Sequence, residues 1–386
     1  MADKNPTLKI GLLLTGDYGW AGGLYYVVNI IKVLNLQKNG LLKIVVFYNN
    51  QTPIELIEEI KKLDVTIENL DKYNVIFKAL FKILRLVTKR NFQLEYIINP
   101  YNLTAIYPLS QYFNNLHGLN CKIIYWIYDF QHKFLPELFN KSEIYSRDKN
   151  FGEIAKKAEY IVVSSKDAFD HFKLFYPQSN AAIYTLPFVS MVQRNELPDF
   201  SLIKQKYKID KPYFIVANQF WVHKNHLLVL KALLSLKIKN IPVKVYFTGK
   251  QHDSRSPNHF NELSKFIEKE GLQDFVYFTG FIPREEQLSL IENAIAVIQP
   301  SKFEGWSTVV EDAKALNKYL LLSDINVHKE QARQNASFFS PDDAIVLASY
   351  IENIEFILSQ SKAYNYDGDI RNFSENLLKL FSELHN

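Results

Sequence analysis

Two carboxylates stand eight residues apart in Pro300-Ser-Lys-Phe-Glu304-Gly305-Trp306-Ser307-Thr308-Val-Val-Glu311-Asp312. The apolar run Ala294–Gln299 precedes this segment, and a helical pattern begins near Val309. A loop of small residues therefore feeds a helix start. Free backbone N–H groups and a partial positive charge there suit an anion such as a diphosphate. Glu304 and Asp312 would not bind phosphate; they would accept hydrogen bonds from sugar or ribose hydroxyls. Acids in a first helical turn also offset the macrodipole. Spacing alone leaves both readings open.

Three further segments carry candidate groups. Lys224 lies in Ala217-Asn218-Gln219-Phe-Trp-Val-His223-Lys224-Asn225-His226, after the run Tyr213–Ala217. A fixed cation there would stabilise negative charge on a bound anion. A solvated lysine is the plain alternative, although a helix start disfavours a cation. Thr15-Gly16-Asp17-Tyr-Gly19-Trp-Ala-Gly22-Gly23 follows the first apolar run. Glycines let backbone approach a ligand closely, yet any tight strand-to-helix turn uses them, and G-x-G-x-x-G is absent. Asp129 and His132 follow the run Lys122–Tyr128, at whose C-terminal end α/β sheets place ligands. A loop histidine with a structural hydrogen bond would look the same.

Together these segments resemble the family-4 glycosyltransferases of GT-B architecture, group 1 type. Residues 304–312 are similar to the family's E-x7-E signature, with Glu304 at the first position, Asp312 at the second and Glu311 one step earlier. The resemblance implies that Glu304 holds hydroxyls of the transferred sugar. It also implies that backbone N–H groups near Ser307 and Thr308 hold the distal phosphate. The second acid, Asp312 or Glu311 in a shifted register, would hold the ribose. Tyr319–Glu330 is similar to the family's next strand and loop.

In the family an Arg and a Lys five residues later clasp the diphosphate. Lys224 matches the Lys, whereas Gln219 stands in the Arg position and carries no charge. Asn218, His223 or a main-chain amide is expected to compensate. Gly22 and Gly23 resemble the pair that opens the family's first helix and faces the diphosphate. Asp129 and His132 resemble its acceptor-side loop. Gly305, Trp306, Phe281 and Ile282 complete the expected donor-binding residues.

The likeness is strongest over residues 213–331 and patchier over 8–30 and 122–170. It implies transfer of a hexose from a nucleotide-diphosphate sugar to a hydroxyl of a glycan or lipid-linked acceptor, with retention. No metal is expected, and no cofactor beyond the donor as co-substrate. Two other classes share the pattern. A GT-B nucleotide-sugar epimerase would convert donor with no acceptor. A non-catalytic nucleotide-sugar-binding protein would show neither transfer nor hydrolysis.

The elements that must position these groups are legible as short apolar runs. Leu8–Leu14, Leu42–Tyr48, Lys122–Tyr128, Tyr160–Ser164 and Ala182–Leu186 form one series. Tyr213–Ala217, Val243–Thr248, Phe275–Thr279, Ala294–Gln299 and Tyr319–Ser323 form a second. Strands apolar on both faces belong in a parallel sheet covered by helices. Helical patterns at Leu227–Ile238, Asn261–Glu270 and Arg284–Asn293 alternate with them, which implies βαβ units. The series breaks over residues 188–210. The expected architecture is α/β: two Rossmann-like, doubly wound domains facing across a cleft. They occupy residues 1–190 on the acceptor side and 191–365 on the nucleotide-sugar side, and a helix in 366–386 packs back on the first.

Composition narrows the partners. The chain has 386 residues, 47% of them hydrophobic and 22% charged, which is a globular balance. A formal net charge of +4 calls for no nucleic acid. Cys121 is the single cysteine, so no disulfide or cysteine zinc site forms within the chain. The polar start, Met1–Pro6, carries no secretory signal pattern. No stretch reaches the roughly 20 apolar residues of a membrane span. A soluble, cytoplasmic protein is expected, in contact with the inner face of the membrane at most peripherally.

The segment for such contact is 77–90, where Lys78, Lys82, Arg85 and Lys89 share one helical face. That pattern could dock on an anionic surface. A helix laid on the sheet by its apolar side, with its basic face solvated, is the preferred reading. Asp367-Gly368-Asp369 reads as a surface turn, and His252 and His259 as loop residues without metal-ligand spacing.

Overall fold

The computed structural model describes residues 8–37, 42–113 and 115–384; the polar Met1–Pro6 lies outside them. Contacts divide the chain into two compact units. The first comprises Met1–Asp129, Tyr145–Met191 and Asp367–Asn386, and the second Phe130–Ile144 and Val192–Tyr366.

The first unit holds a seven-stranded sheet of β1 (Leu8–Leu14), β2 (Leu42–Tyr48), β3 (Thr66–Asn69), β4 (Ala105–Leu109), β5 (Lys122–Ile127), β6 (Tyr160–Val163) and β7 (Ala182–Thr185). Its order is β3-β2-β1-β4-β5-β6-β7, and every pairing is parallel. The order reverses between β1 and β4, the doubly wound switch point. The last helix, Tyr366–Glu383, belongs to this unit from Asp367 onward. It buries Leu377, Leu380 and Phe381, and Tyr184 donates to its Glu383 at 3.1 Å. Asp367 and Asp369 lie in the first turn of that helix, not in a surface turn. Acids there complement the helix dipole.

The second unit holds a six-stranded parallel sheet, β10-β9-β8-β11-β12-β13. Its strands are β8 (Phe214–Ala217), β9 (Val245–Thr248), β10 (Val276–Gly280), β11 (Ala296–Gln299), β12 (Tyr319–Ser323) and β13 (Ala336–Phe339). Side chains alternate across it with the period of two that strands impose. Phe214 and Val216 join a core under the helix His226–Ile238, whereas Ile215 and Ala217 join one with Ile291, Val310 and Leu316. Both faces are therefore buried, and the strands read as unbroken apolar runs.

The ten strands read from sequence agree within two residues, the usual slack of element ends. Three more are present: β3, β4 and β13. The unit boundary between Met191 and Val192 falls in the break at 188–210, where Asp199 caps a short helix, Phe200–Lys206.

One expectation fails. The helix Val75–Thr88 does not lay its apolar side on the sheet. Ile76, Leu80, Ile83 and Val87 stay exposed, and only neighbours such as Phe81 and Leu84 are half covered.

Candidate active site at the second switch point

In the second sheet the order reverses between β8 and β11. Open α/β sheets bind ligands outside the carboxyl ends of the strands at such a point. Asn218 follows β8 directly and Gln299 closes β11. Both are buried, and the Asn218 amide donates to Gln299 Oε1 at 2.7 Å. Gln299 spends its own Nε2 on Glu304 Oε1 at 3.0 Å and Ser307 Oγ at 3.1 Å. An amide at the end of an apolar strand thereby ties the strand to the loop 300–307.

Lys224 reaches the same carboxylate. It ends a 3-10 turn, Val222–Lys224, and Asn225 follows in the left-handed conformation (φ 58°). Asn225 is held by two carbonyls, Pro300 at 3.1 Å and Pro341 at 2.7 Å. Lys302 N–H donates to the His223 carbonyl at 2.8 Å. These bonds lock the two loops side by side. Lys224 Nζ then lies 2.6 Å from Glu304 Oε1, with both side chains largely buried. Both contacts to Glu304 fall on Oε1; among the described residues none donates to Oε2. Gly249 allows the close packing beneath: at φ 126°, a Cβ there would meet Asn218 O at 2.3 Å.

Beside this pair starts the helix Thr308–Ala315, with Ser307 as its cap accepting from Val310 N–H at 3.4 Å. Ser307 N–H is taken by Gln331 Oε1 at 3.1 Å. Among the described residues, the N–H groups of Thr308 and Val309 meet no acceptor. They are the orphan donors that make a helix start attractive to anions. Gly305 and Trp306, in the loop before the cap, are half-buried.

The acids at the second position have other work. Asp312 is fully buried under a two-point ion pair with Arg284, whose Nη1 donates to Oδ2 at 2.5 Å. Glu311, also fully buried, receives Lys314 at 3.0 Å, Gln331 at 2.9 Å and Tyr366 OH at 2.8 Å. Burial raises its carboxyl above the ordinary value, against the lowering effect of Lys314 and the hydrogen bonds of Gln331 and Tyr366. Neither acid extends toward solvent as a ribose ligand would.

His328 is buried close by. Its Nδ1 lies 3.0 Å from the Ser323 carbonyl. Burial pushes its pKa down to about 4 despite the nearby Glu304 carboxylate. His226 stacks on Phe220 at 4.2 Å, and burial takes its pKa down to about 3.

The remaining expected residues fall as follows. Gln219 is half-buried beside Asn218, Ile282 is half-buried, and Phe281 is exposed after β10. His132 is buried in the short helix Gln131–Phe134 within the second unit, edge-on to Phe139. The same segment stacks Phe134 on Phe303, next to Glu304, at 5.7 Å. Asp129 belongs to the first unit and is paired with Arg147 at 2.9 Å. Gly22 and Gly23 also lie there, at the start of the helix Ala21–Leu36. Gly23 is buried because the Trp20 indole covers it; a Cβ would sit 2.6 Å from that ring.

Sequence reasoning missed Gln299, Arg284 and Gln331. Gln299 had one signal, a polar residue ending an apolar strand. Arg284 had another, a cation in a first helical turn where the dipole disfavours it. Among the described residues, no group of acids, histidines or cysteines is arranged to hold a metal ion.

Two parallel sheets, with a wired polar cluster at the second switch point, define a two-unit α/β protein. Residues 199–366 match the family described as Glycosyl transferases group 1. Over 171 residues it is 26% identical to the O-antigen chain mannosyltransferase RfbU of Salmonella typhimurium, a match covering 44% of this chain and 46% of that protein. The chain thus spans about half the length of this curated relative.

Solved structures extend the likeness to the whole fold. A glycosyltransferase from Rickettsia africae superposes with a TM-score of 0.65 at 17% identity, covering 98% of each chain. The Anabaena protein HepE, solved with UDP and glucose, gives 0.67 at 14%, covering 97% of this chain and 100% of its own. The fold is of the GT-B type.

Proposed function

We propose that this chain is a retaining, metal-independent hexosyltransferase. It would move a hexose from a nucleoside-diphosphate sugar to a hydroxyl of a glycan or lipid-linked acceptor. The observation that carries this reading is the meeting of Lys224 and Glu304 at 2.6 Å, beside the open N–H groups of Thr308 and Val309.

In this reading the diphosphate lies against Lys224 and that helix start. The acceptor oxygen attacks the anomeric carbon from the face the phosphate leaves. The carbon–oxygen bond to phosphate breaks as the new glycosidic bond forms, and the acceptor proton passes to the departing phosphate oxygen. Charge builds on the leaving group, where Lys224 and the N–H donors act most strongly. Glu304 is anchored through Oε1 and offers Oε2 to hydroxyls of the transferred sugar. Held by Gln299 and Lys224, it needs little reorganisation to do so. His132 and Asp129 are assigned to the sugar and acceptor side. The buried Arg284–Asp312 pair supports the floor of the donor site rather than gripping ribose directly.

A thermal-shift panel of nucleoside diphosphates and their sugars tests the reading. UDP-glucose and a nucleoside-diphosphate mannose come first, after the names of the Anabaena complex and the O-antigen relative. A raised melting temperature with one donor, followed by transfer or slow hydrolysis of it, is expected. Lys224→Ala should weaken that donor's binding about 10- to 100-fold, the scale of a lost charged hydrogen bond. Unchanged affinity would move the phosphate elsewhere.

A further inference from the structure

We propose that the exposed face of the helix Val75–Thr88 docks this protein on an anionic lipid surface. The fold defines the helix sharply. Asn74 caps its start, accepting from Phe77 N–H at 3.1 Å, and Lys89 ends it in the left-handed conformation. Fourteen residues span about 21 Å, too short to cross a bilayer and long enough to lie on one.

Ile76, Leu80, Ile83 and Val87 follow i, i+4, i+7 and i+11 spacing, so they form one stripe. All four are open to solvent, at 78%, 49%, 59% and 78%. Leu86 and Phe77 widen the stripe on either side, both also exposed. Helices in proteins owe most of their stability to burying such a stripe. Here it is bare. Tyr96 extends the patch: it is exposed and packs edge-on to Tyr73, which also touches Phe77. A tyrosine with one apolar and one wet end suits a membrane interface.

Charge identifies the occupant. Lys78, Lys82, Arg85 and Lys89 line the opposite arc of the helix. Lys78 reaches Asp71 at 3.4 Å, and beyond the helix Arg90 pairs with Glu95 at 2.6 Å. Among the described residues no carboxylate pairs with Lys82, Arg85 or Lys89, and all three are exposed. A helix sunk about 5–10 Å into the headgroup region leaves its cations level with lipid phosphates. Their long stems reach outward along the helix flank. A second copy of the chain would cover the apolar stripe but, with the cations on the opposite arc, would give them no partner. An anionic bilayer satisfies both features.

Flotation of the full chain with lipid vesicles tests this. Binding is expected to phosphatidylcholine vesicles containing phosphatidylglycerol, and to fall at least tenfold without the anionic lipid. It should also fall when salt shortens the screening length from about 10 Å to about 3 Å. The triple variant Lys82→Glu, Arg85→Glu, Lys89→Glu should lose at least a hundredfold, from about fivefold for each cation removed near a charged surface. Leu80→Ser with Ile83→Ser should lose binding too, although both sites are solvent-exposed and melting should stay unchanged. Equal binding to neutral and anionic vesicles, or no binding, overturns the proposal. So does a dimer in sedimentation that Ile83→Asp converts to monomer, since a second copy would then own the stripe.

Discussion

Each unit has a switch point, and the turns that follow the two central strands are built from opposite materials. After β8 the second unit is wired with polar bonds: Asn218 to Gln299, Gln299 to Glu304 and Ser307, Lys224 to Glu304, all between 2.6 and 3.1 Å. After β1 the first unit relies on rings. Trp20 stacks on Trp126 at 5.3 Å and leans on Tyr128 at 4.8 Å, with Gly23 beneath. Its polar bonds there run to main-chain atoms: Gly16 N–H donates to Asn49 Oδ1 at 3.3 Å and Gly19 N–H to Asp17 Oδ1 at 2.7 Å. A polar web holds charges where a reaction needs them and resists reorientation. A ring surface offers shape and excludes water, and it tolerates varied partners. Under the proposed function, the fixed chemistry belongs to the second unit and the adaptable surface to the first.

The sharpest way to break that contrast is Glu304→Ala. Transfer should fall by about a thousandfold or more, the scale of losing a preorganised group aimed at the reacting centre, measured as initial rate with melting as a control. Near-normal turnover would mean that the wired cluster is only structural.

Arg284→Ala comes next, on stability. It leaves Asp312 buried without its cation, a cost of about 3–5 kcal/mol. Denaturant unfolding should show it, and Arg284→Lys should recover only part, because lysine cannot make the two-point contact.

Acidity probes the same unit. His328 and His226 are held neutral in the fold, near 4 and 3, while the unfolded chain takes up protons near the ordinary value of about 6.5. Stability is therefore complete above about pH 6.5 and declines as pH falls toward 4. His328 alone accounts for about 3 kcal/mol of that loss. His328→Gln should flatten the decline; an unchanged slope would assign it to other groups.

The smallest effect belongs to the ring-built turn. Gly23→Ala would press a methyl group into the Trp20 indole, costing about 1–3 kcal/mol. Trp20→Ala in the same chain should relieve it. If it does not, Gly23 is required for some other reason.

Much of this is legible in the sequence. Two-sided apolar runs announce parallel strands, and the loop from Glu304 to Thr308 announces the helix start at Thr308. What escaped notice has physical reasons. β4 contains Pro108, and proline argues against a central strand because it cannot donate to the ladder. β3, Thr66–Asn69, is too polar to stand out. Gln299 carries no charge, so its hub role appears only when β8 and β11 lie side by side. Arg284 and Asp312 are 28 residues apart, a pairing set by topology. The helix Val75–Thr88 shows the converse: its amphipathic pattern was plain, but which side meets protein depends on neighbours that the pattern does not encode.

Neither unit is a continuous stretch of chain. The second borrows Phe130–Ile144, and the first is completed by Asp367–Asn386. During synthesis the opening sheet must therefore wait, with part of its core bare, until residues 367–384 have left the ribosome. A cut between Met191 and Val192 would yield two incomplete fragments, one without its closing helix and one without the partner of Phe303. The polypeptide is sewn across its own halves, and each half depends on the other's thread.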